Sequence, residues 1–478
     1  MHPRKFTKLI CTISDKNFNI DLIKKLYDHG MDAVRLNTAH QSPVKTEKII
    51  DAVRGVSDKI AIMLDTKGPE LRTLGLKHNL VAGQYDIVKI GKKDNPSAGE
   101  SSFHVNYCSF VEQVPVGTTI YIDEGYIELK VIEKNSEHLM CRVVRGGIIG
   151  NKRSVNVPSM NMTLPGLTSR DVEYIRLAIN FDIDFIAHSF VRNKQDILNL
   201  QEILHREKSD IKIIAKIENR QGLDNFDEIL QQAWGILIAR GDLGVEIPAE
   251  DVPLVQKSII RKCRRVNKPV LIATHLLESM IKNPRPTQAE ISDVANAVLD
   301  GTDVLVLTGE TAEGKYPVDS AETISKICLR MESMTKLDKN FEVNEQKSDR
   351  THLLIKQASK AAVEFPVKAI LSTSLNRQLI RLLSSCRGRI PVFVPAFSKR
   401  RVREFALNYG IYAQYIKKEK LEQIAMIMFK TMSEEWDLKE TDLVVILSHA
   451  QNRQMNPDKM EMTSIAELTA NGFSYPGE

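Results

Sequence analysis

The sequence predicts an α/β protein: a (β/α)8 TIM barrel, interrupted by a small β-barrel or sandwich that serves as a lid domain, and followed by a C-terminal α/β open-sheet domain. Three observations carry this expectation. Short β-branched runs alternate with amphipathic stretches from the start of the chain, the signature of parallel βα units. About 90 residues, 71–162, break that alternation with strand-like text and Gly-containing turns. After a polar stretch at 338–349, a second α/β pattern begins.

Taken in order, the barrel strands are expected at 9–13, 33–37, 60–65, 184–190, 211–217, 235–239, 269–274 and 303–307, the eight that closure requires. Helices are expected between them, at 21–29, 46–53, 170–179 and 252–266 among others. Strands of the insertion read as 85–90, 118–122, 126–132 and 139–144, with Pro69 and Pro165 bracketing it like hinges. An insertion after the third strand lands at the mouth where such barrels do chemistry, and a lid there would exclude water. A helix at 318–337 leads into the linker, and strands at 367–373, 391–395, 411–415 and 443–447 make the small open sheet. The tail from 451 is polar and without clear pattern. The expected domains are therefore 1–70 with 163–337 for the barrel, 71–162 for the lid and 350–478 for the C-terminal unit.

Composition narrows the function classes. With 478 residues and 42% hydrophobic content the chain can bury more than one core. A net charge of +5 is too weak to argue for a nucleic-acid partner. Basic clusters at 261–265 and 398–403 fall on predicted helices without interleaved aromatics, which favours a solvated face or an anion-effector site over RNA. Six dispersed cysteines with no CxxC pair argue for reduced thiols rather than a zinc site or a disulfide framework. The amino terminus lacks an apolar h-region and no long apolar run follows, so the expected location is cytoplasmic, with no membrane partner.

Polar residues gather at the carboxyl ends of the expected strands, where barrel chemistry sits. Strand two ends in Arg35 and Asn37, three in Asp65 and Thr66, four in Ser189, and five in Lys216-Ile217-Glu218. Strand six ends in Arg240-Gly241-Asp242 and seven in Thr274. Residues two apart on a strand share a face, so Lys216 and Glu218 would enter the mouth together, with Asp242 beside them. Two carboxylates with room for substrate oxygens suit Mg²⁺; a rim network of Lys, Glu and Asp ion pairs is the open alternative. Arg35 suits a phosphate, or a rim salt bridge. The Gly241 turn could offer backbone N–H groups to a carboxylate, or be an ordinary Gly-Asp turn. Thr274, taken alone, reads as a capping or core hydroxyl.

Over residues 4 to about 440 the motifs resemble the pyruvate kinase family. The runs 270–280, 283–290 and 292–301, together with Asp65-Thr66-Lys67-Gly68-Pro69-Glu70, carry the likeness. The resemblance implies transfer of the phosphoryl group of phosphoenolpyruvate to ADP, giving pyruvate and ATP in the final step of glycolysis. It implies Lys216 as stabiliser of the transferring group, Glu218 and Asp242 as ligands of Mg²⁺ (or Mn²⁺), and Arg35 on phosphate. Ser189, Gly241 and Thr274 would receive the substrate, with Thr274 on the proton path. Asn37, His40, Arg72, Lys152 and Arg153 match nucleotide contacts, and Asn37, Asp65 and Thr66 match a K⁺ site. A homotetramer and a sugar-phosphate effector are further implications.

Departures from the pattern are informative. Ala39 stands where the K⁺ site has a serine, which predicts a weakened site, while Glu70 matches the K⁺-dependent branch. The turn 13–17 lacks the Gly-Pro expected near the nucleotide base, and 373–377 carries Leu375 where a phosphate loop has glycine. The tail does not match the family's terminal hairpin and effector loop. Two competing readings are a Mg²⁺-dependent barrel lyase or aldolase acting on a keto acid, which would not require the hinged lid, and a non-catalytic binding protein, which would not require the Lys216, Glu218, Asp242, Arg35 and Thr274 set.

Overall fold

A computed structural model describes residues 4–16, 18–92, 102–158, 160, 164–334, 350–373, 376–417, 424–448 and 459–471 of the chain. The linker 338–349, Ser374, Leu375 and part of the tail lie outside the described residues.

Eight parallel strands close into a barrel: Lys8–Thr12, Ala33–Asn37, Ala61–Asp65, Phe185–His188, Lys212–Ile217, Gly235–Ala239, Val270–Ala273 and Val304–Leu307. The chain order runs around the ring, and the first strand pairs with the last from Lys8↔Val304 to Cys11↔Leu307. The sequence writes these strands as apolar runs because both faces are buried. Outward residues such as Leu9, Ile62 and Ile213 pack under the surrounding helices, and inward ones such as Met63, Phe185 and Leu271 fill the ring. Local signals set the helix starts. Thr168 and Asp171 form a capping box at Ser169–Asn180, and Thr287 with Glu290 forms another at Gln288–Asp300. Such a cap contributes about 1 kcal/mol.

Between the third and fourth barrel strands stands a seven-stranded sheet with a two-stranded ribbon beside it. Its longest strands, Ile127–Lys134 and His138–Arg145, alternate buried and exposed residues, as a sheet wet on one face must. Its core, including Ile90, Phe103, Leu129 and Leu139, is separate from the barrel's.

Residues beyond 350 form a five-stranded sheet, ordered Ile411–Tyr415, Val392–Ala396, Val367–Ser372, Leu443–Ser448, Lys459–Ser464. The last strand gives the tail a pattern that the sequence did not: it runs antiparallel to Leu443–Ser448. Its charged and Met alternation marks an edge strand, where half the side chains meet water, and the apolar signal is correspondingly weak. All six cysteines are free, and among the described residues no helix is long and apolar enough to cross a membrane.

Candidate active site

The strand period of two builds the site. Inside the barrel, Ile10, Ala33, Met63, Ala187, Ile214 and Ala239 pack together. Two residues further along, side chains point the same way, so Thr12, Arg35, Asp65, Ser189 and Lys216 form the next layer, at the mouth. Ala33, the small residue beneath Arg35, leaves room for that long side chain above it.

Asp65 is the hub. It accepts from Arg35 Nε at 2.5 Å and Lys216 Nζ at 3.0 Å. Lys216 also donates to Ser189 Oγ at 2.8 Å and pairs with Glu218 at 2.9 Å, while Ser189 donates to the Thr66 carbonyl at 2.6 Å. Arg35 reaches Thr12 Oγ1 at 3.0 Å, and Glu218 accepts the Phe190 N–H at 2.7 Å. Burial works against the Lys216 ammonium, but Asp65 and Glu218 outweigh it and hold its pKa above the ordinary lysine value. Burial also opposes ionised Asp65, yet Arg35 and Lys216 together keep it below the usual carboxylate range. Glu218 and Asp242 go the other way: burial raises both, and the Lys216 charge does not fully offset it.

Asp242 supplies the test for a metal. No hydrogen bond or ion pair among the described residues engages its carboxylate, and Glu70, Glu124 and Asp65 add negative charge around it. Unneutralised carboxylate charge at a cleft fits a divalent cation that takes one or two protein oxygens and leaves the rest to substrate and water. Glu218 and Asp242 both line a cavity of about 120 Å³ between barrel and insertion. A larger cavity, about 260 Å³, lies at the opposite end of the barrel beside Lys8 and Tyr412, away from this chemistry.

Gly241 proves to lie in the first turn of a short helix, Arg240–Glu246, rather than in a free turn. Its N–H is donated to Thr274 Oγ1 at 2.7 Å, so that donor is already engaged. Thr274 and His275 both adopt left-handed backbone, φ 67° and 53°, which is rare for a β-branched residue and stores strain characteristic of functional positions.

The proposed nucleotide contacts fall in two groups. Arg72 pairs with Glu70, at the hinge, at 2.7 Å and donates to the Lys152 carbonyl at 2.9 Å, and Arg153 pairs with Asp123 at 3.1 Å within the insertion. Asn37 and His40 stay with the barrel, where Asn37 Oδ1 accepts the Ala39 N–H at 3.1 Å and His40 is exposed. No hydrogen bond or ion pair among the described residues joins Arg72, Lys152 or Arg153 to the Lys216 network. Sequence reasoning missed the hub role of Asp65, the Thr12 prop under Arg35, and the Asn156 to Glu246 hydrogen bond (2.9 Å) that ties the insertion to the helix carrying Asp242. Strand-end parity could have found Thr12. The Asn156 contact spans 90 residues and leaves no local mark.

A family model described as pyruvate kinase, barrel domain, matches residues 4–321. The chain is 40% identical to the pyruvate kinase of Borreliella burgdorferi over 469 residues, 97% of this chain and 98% of that protein. It is 36% identical to a Staphylococcus aureus pyruvate kinase over 483 residues and 35% identical to one from Bacillus licheniformis over 481, each alignment covering 98% of this chain and 81% of the relative.

Proposed function

The chain belongs to the pyruvate kinase family, and we propose a division of labour among its residues for moving the phosphoryl group of phosphoenolpyruvate to ADP. It is a phosphotransferase, and we assign it to the alcohol-group acceptor class. The observation that carries the residue assignment is an ammonium, Lys216, kept charged beside two carboxylates, with a third, Asp242, unneutralised.

Phosphoryl transfer asks the protein for positioning and charge neutralisation. Lys216 meets the oxygens of the group in flight, Arg35 orients the phosphate, and Ser189 and Thr274 bind the substrate's acid end. The family depends on Mg²⁺ and K⁺. Glu218 and Asp242 would hold the Mg²⁺, which when bound supplies Lewis-acid neutralisation of substrate oxygens. Because Lys216 holds its proton firmly, it is a poor candidate for delivering one to the enolate carbon, and that step falls to Thr274 or to water near it.

Asn37, Asp65 and Thr66 would hold K⁺ weakly: Ala39 lacks a hydroxyl, and Asp65 is already committed to Arg35 and Lys216. Ala39→Ser is expected to lower the K⁺ concentration for half-maximal activity at constant ionic strength, and an enzyme indifferent to K⁺ refutes the site. The insertion closing as a lid over the mouth, the nucleotide contacts of Arg72, Lys152, Arg153, Asn37 and His40, a homotetramer, a cytoplasmic location and a sugar-phosphate effector complete the proposal. The central test is pyruvate formation from phosphoenolpyruvate with and without ADP. Lys216→Met is expected to remove transfer with the circular dichroism spectrum unchanged, and an active Lys216→Met protein overturns the mechanism.

A further inference from the structure

Both chain crossings between the barrel and the insertion meet on one carboxylate. The chain leaves the third barrel strand through residues 66–70 and returns through 164–168 to the helix Ser169–Asn180. Asp171, buried in the first turn of that helix, spends one oxygen on each crossing. Its Oδ1 accepts the backbone N–H of Lys67 at 2.9 Å and of Gly68 at 3.3 Å, on the way out. Its Oδ2 accepts the N–H of Thr168 at 2.8 Å and the Thr168 hydroxyl at 2.6 Å, on the way back.

Helix capping accounts for only half of these bonds. The capping box between Thr168 and Asp171 uses Oδ2 alone, whereas Oδ1 reaches residues 104 and 103 positions away. The helix start is itself fastened to the barrel, because Arg170 donates to the carbonyls of Thr38 and Gln41, each at 2.7 Å. On the outgoing side Gly68 has left-handed backbone, φ 69°. A Cβ there would lie 2.8 Å from the Phe190 ring and 3.0 Å from Ser189 Cβ, so the crossing rests against the wall of the site. The Phe190 N–H is in turn donated to Glu218 at 2.7 Å.

We propose that Asp171 is a positioning residue for phosphoryl transfer, the clasp that makes the two crossings a single pivot and limits the orientations in which the insertion presents its cations to the barrel mouth. This rests on the reading that Arg72, Lys152 and Arg153 meet the nucleotide. Bonds from several N–H donors to one ionised carboxylate are strong enough to hold such a pivot. With the crossings free of each other the insertion samples more orientations, the competent fraction falls, and the apparent affinity for the nucleotide falls by the same factor. Phosphoenolpyruvate, held by barrel residues, is affected less.

The test pairs amide hydrogen exchange with steady-state kinetics on the full chain. In Asp171→Asn the side chain keeps one acceptor and turns an NH2 group toward the other crossing. Exchange at Lys67, Gly68 and Thr168 is then expected to rise together, on the order of tenfold. The KM for ADP should rise about tenfold, and that for phosphoenolpyruvate by no more than about twofold. Asp171→Glu still suits a capping box but its longer arm overshoots Lys67 and Gly68, so it gives the same split in KM should Asp171→Asn unfold. Thr168→Ala is the opposite control: it weakens the cap, leaves Asp171 on Lys67 and Gly68, and is expected to lower Tm without changing the ratio of the two KM values. A rise in exchange confined to Thr168 in Asp171→Asn, or equal changes in both KM values, overturns the proposal. Arg153→Ala separates this from the nucleotide reading. An unchanged KM for ADP in that variant refutes the Arg153 contact, and the exchange result still decides whether Asp171 joins the crossings.

Discussion

The two ends of the barrel both collect charge, and they use it in opposite ways. At the lower end each buried aspartate is matched. Asp303 takes Arg387 at 2.8 Å, Asp184 takes Arg403 at 2.7 Å and Arg54 at 3.1 Å, and Asp32 takes Lys5 at 2.6 Å. At the upper end Arg35 and Lys216 face Asp65, Glu218 and Asp242, and the surplus carboxylate is left without a protein partner. A rim network and an active site look alike as sequence, because both are charged residues at strand ends. The residual charge separates them: a structural network closes its own account, and a site leaves charge for the ligand to complete.

The largest effect that would sharpen this contrast is on activity. Glu218→Gln keeps an acceptor for the Phe190 N–H but removes a carboxylate from the surplus, so turnover is expected to fall about 10³-fold. Stability should hold or rise, because the lost charge was one that burial disfavoured. A Glu218→Gln protein that loses several kcal/mol in urea melts would make the upper rim structural too.

The mirror experiment is at the lower end. Arg387 bonds Asp303 and the Gly301 carbonyl, packs over Tyr409 at 4.5 Å, and is 4% exposed. Arg387→Met strands a buried aspartate and should cost about 3–5 kcal/mol of stability. The turnover of the folded fraction should be unchanged. A fall in turnover without a fall in stability would erase the distinction between the two ends.

Much of this was legible in the sequence, for a physical reason. Barrel strands buried on both faces write themselves as apolar runs, and the period of two then fixes which side chains reach the mouth, so Arg35, Asp65, Ser189, Lys216 and Glu218 were all found. The lower-rim pairs were not, because Asp303 to Arg387 and Asp184 to Arg403 join residues 84 and 219 apart, in different domains. The basic run at 398–403 illustrates the difference. It reads as a solvated face or an anion-effector site, yet Arg403 is buried on Asp182 and Asp184, Arg400 pairs with Asp182, and Lys399 pairs with Asp58 at 2.5 Å. Charge patterns reveal which residues are charged, while tertiary pairing decides which of them remain available. The Lys459–Ser464 edge strand stayed hidden for a third reason, its weak apolar signal.

The smallest effect probes a lower-rim aspartate, Asp32, that serves two lysines. Lys5 sits 2.6 Å from Asp32, leaving Lys8 at 3.8 Å, where it donates to the Ile411 carbonyl at 2.9 Å and lies over the Tyr412 ring. Burial lowers the Lys8 pKa to about 8; Asp32 and Glu332 oppose that shift and Lys5 adds to it. Below about pH 8 the amine is charged in both the folded and the unfolded chain. Above it the folded protein releases the proton first, so the unfolded state binds more protons and stability gains from Lys8 as pH rises toward the ordinary lysine value. The difference in unfolding free energy between the unmodified protein and Lys8→Met should therefore shift in favour of the unmodified protein between pH 8 and 10. A difference that stays flat across that window would mean that Asp32 compensates both lysines fully, and that the lower end is matched without exception.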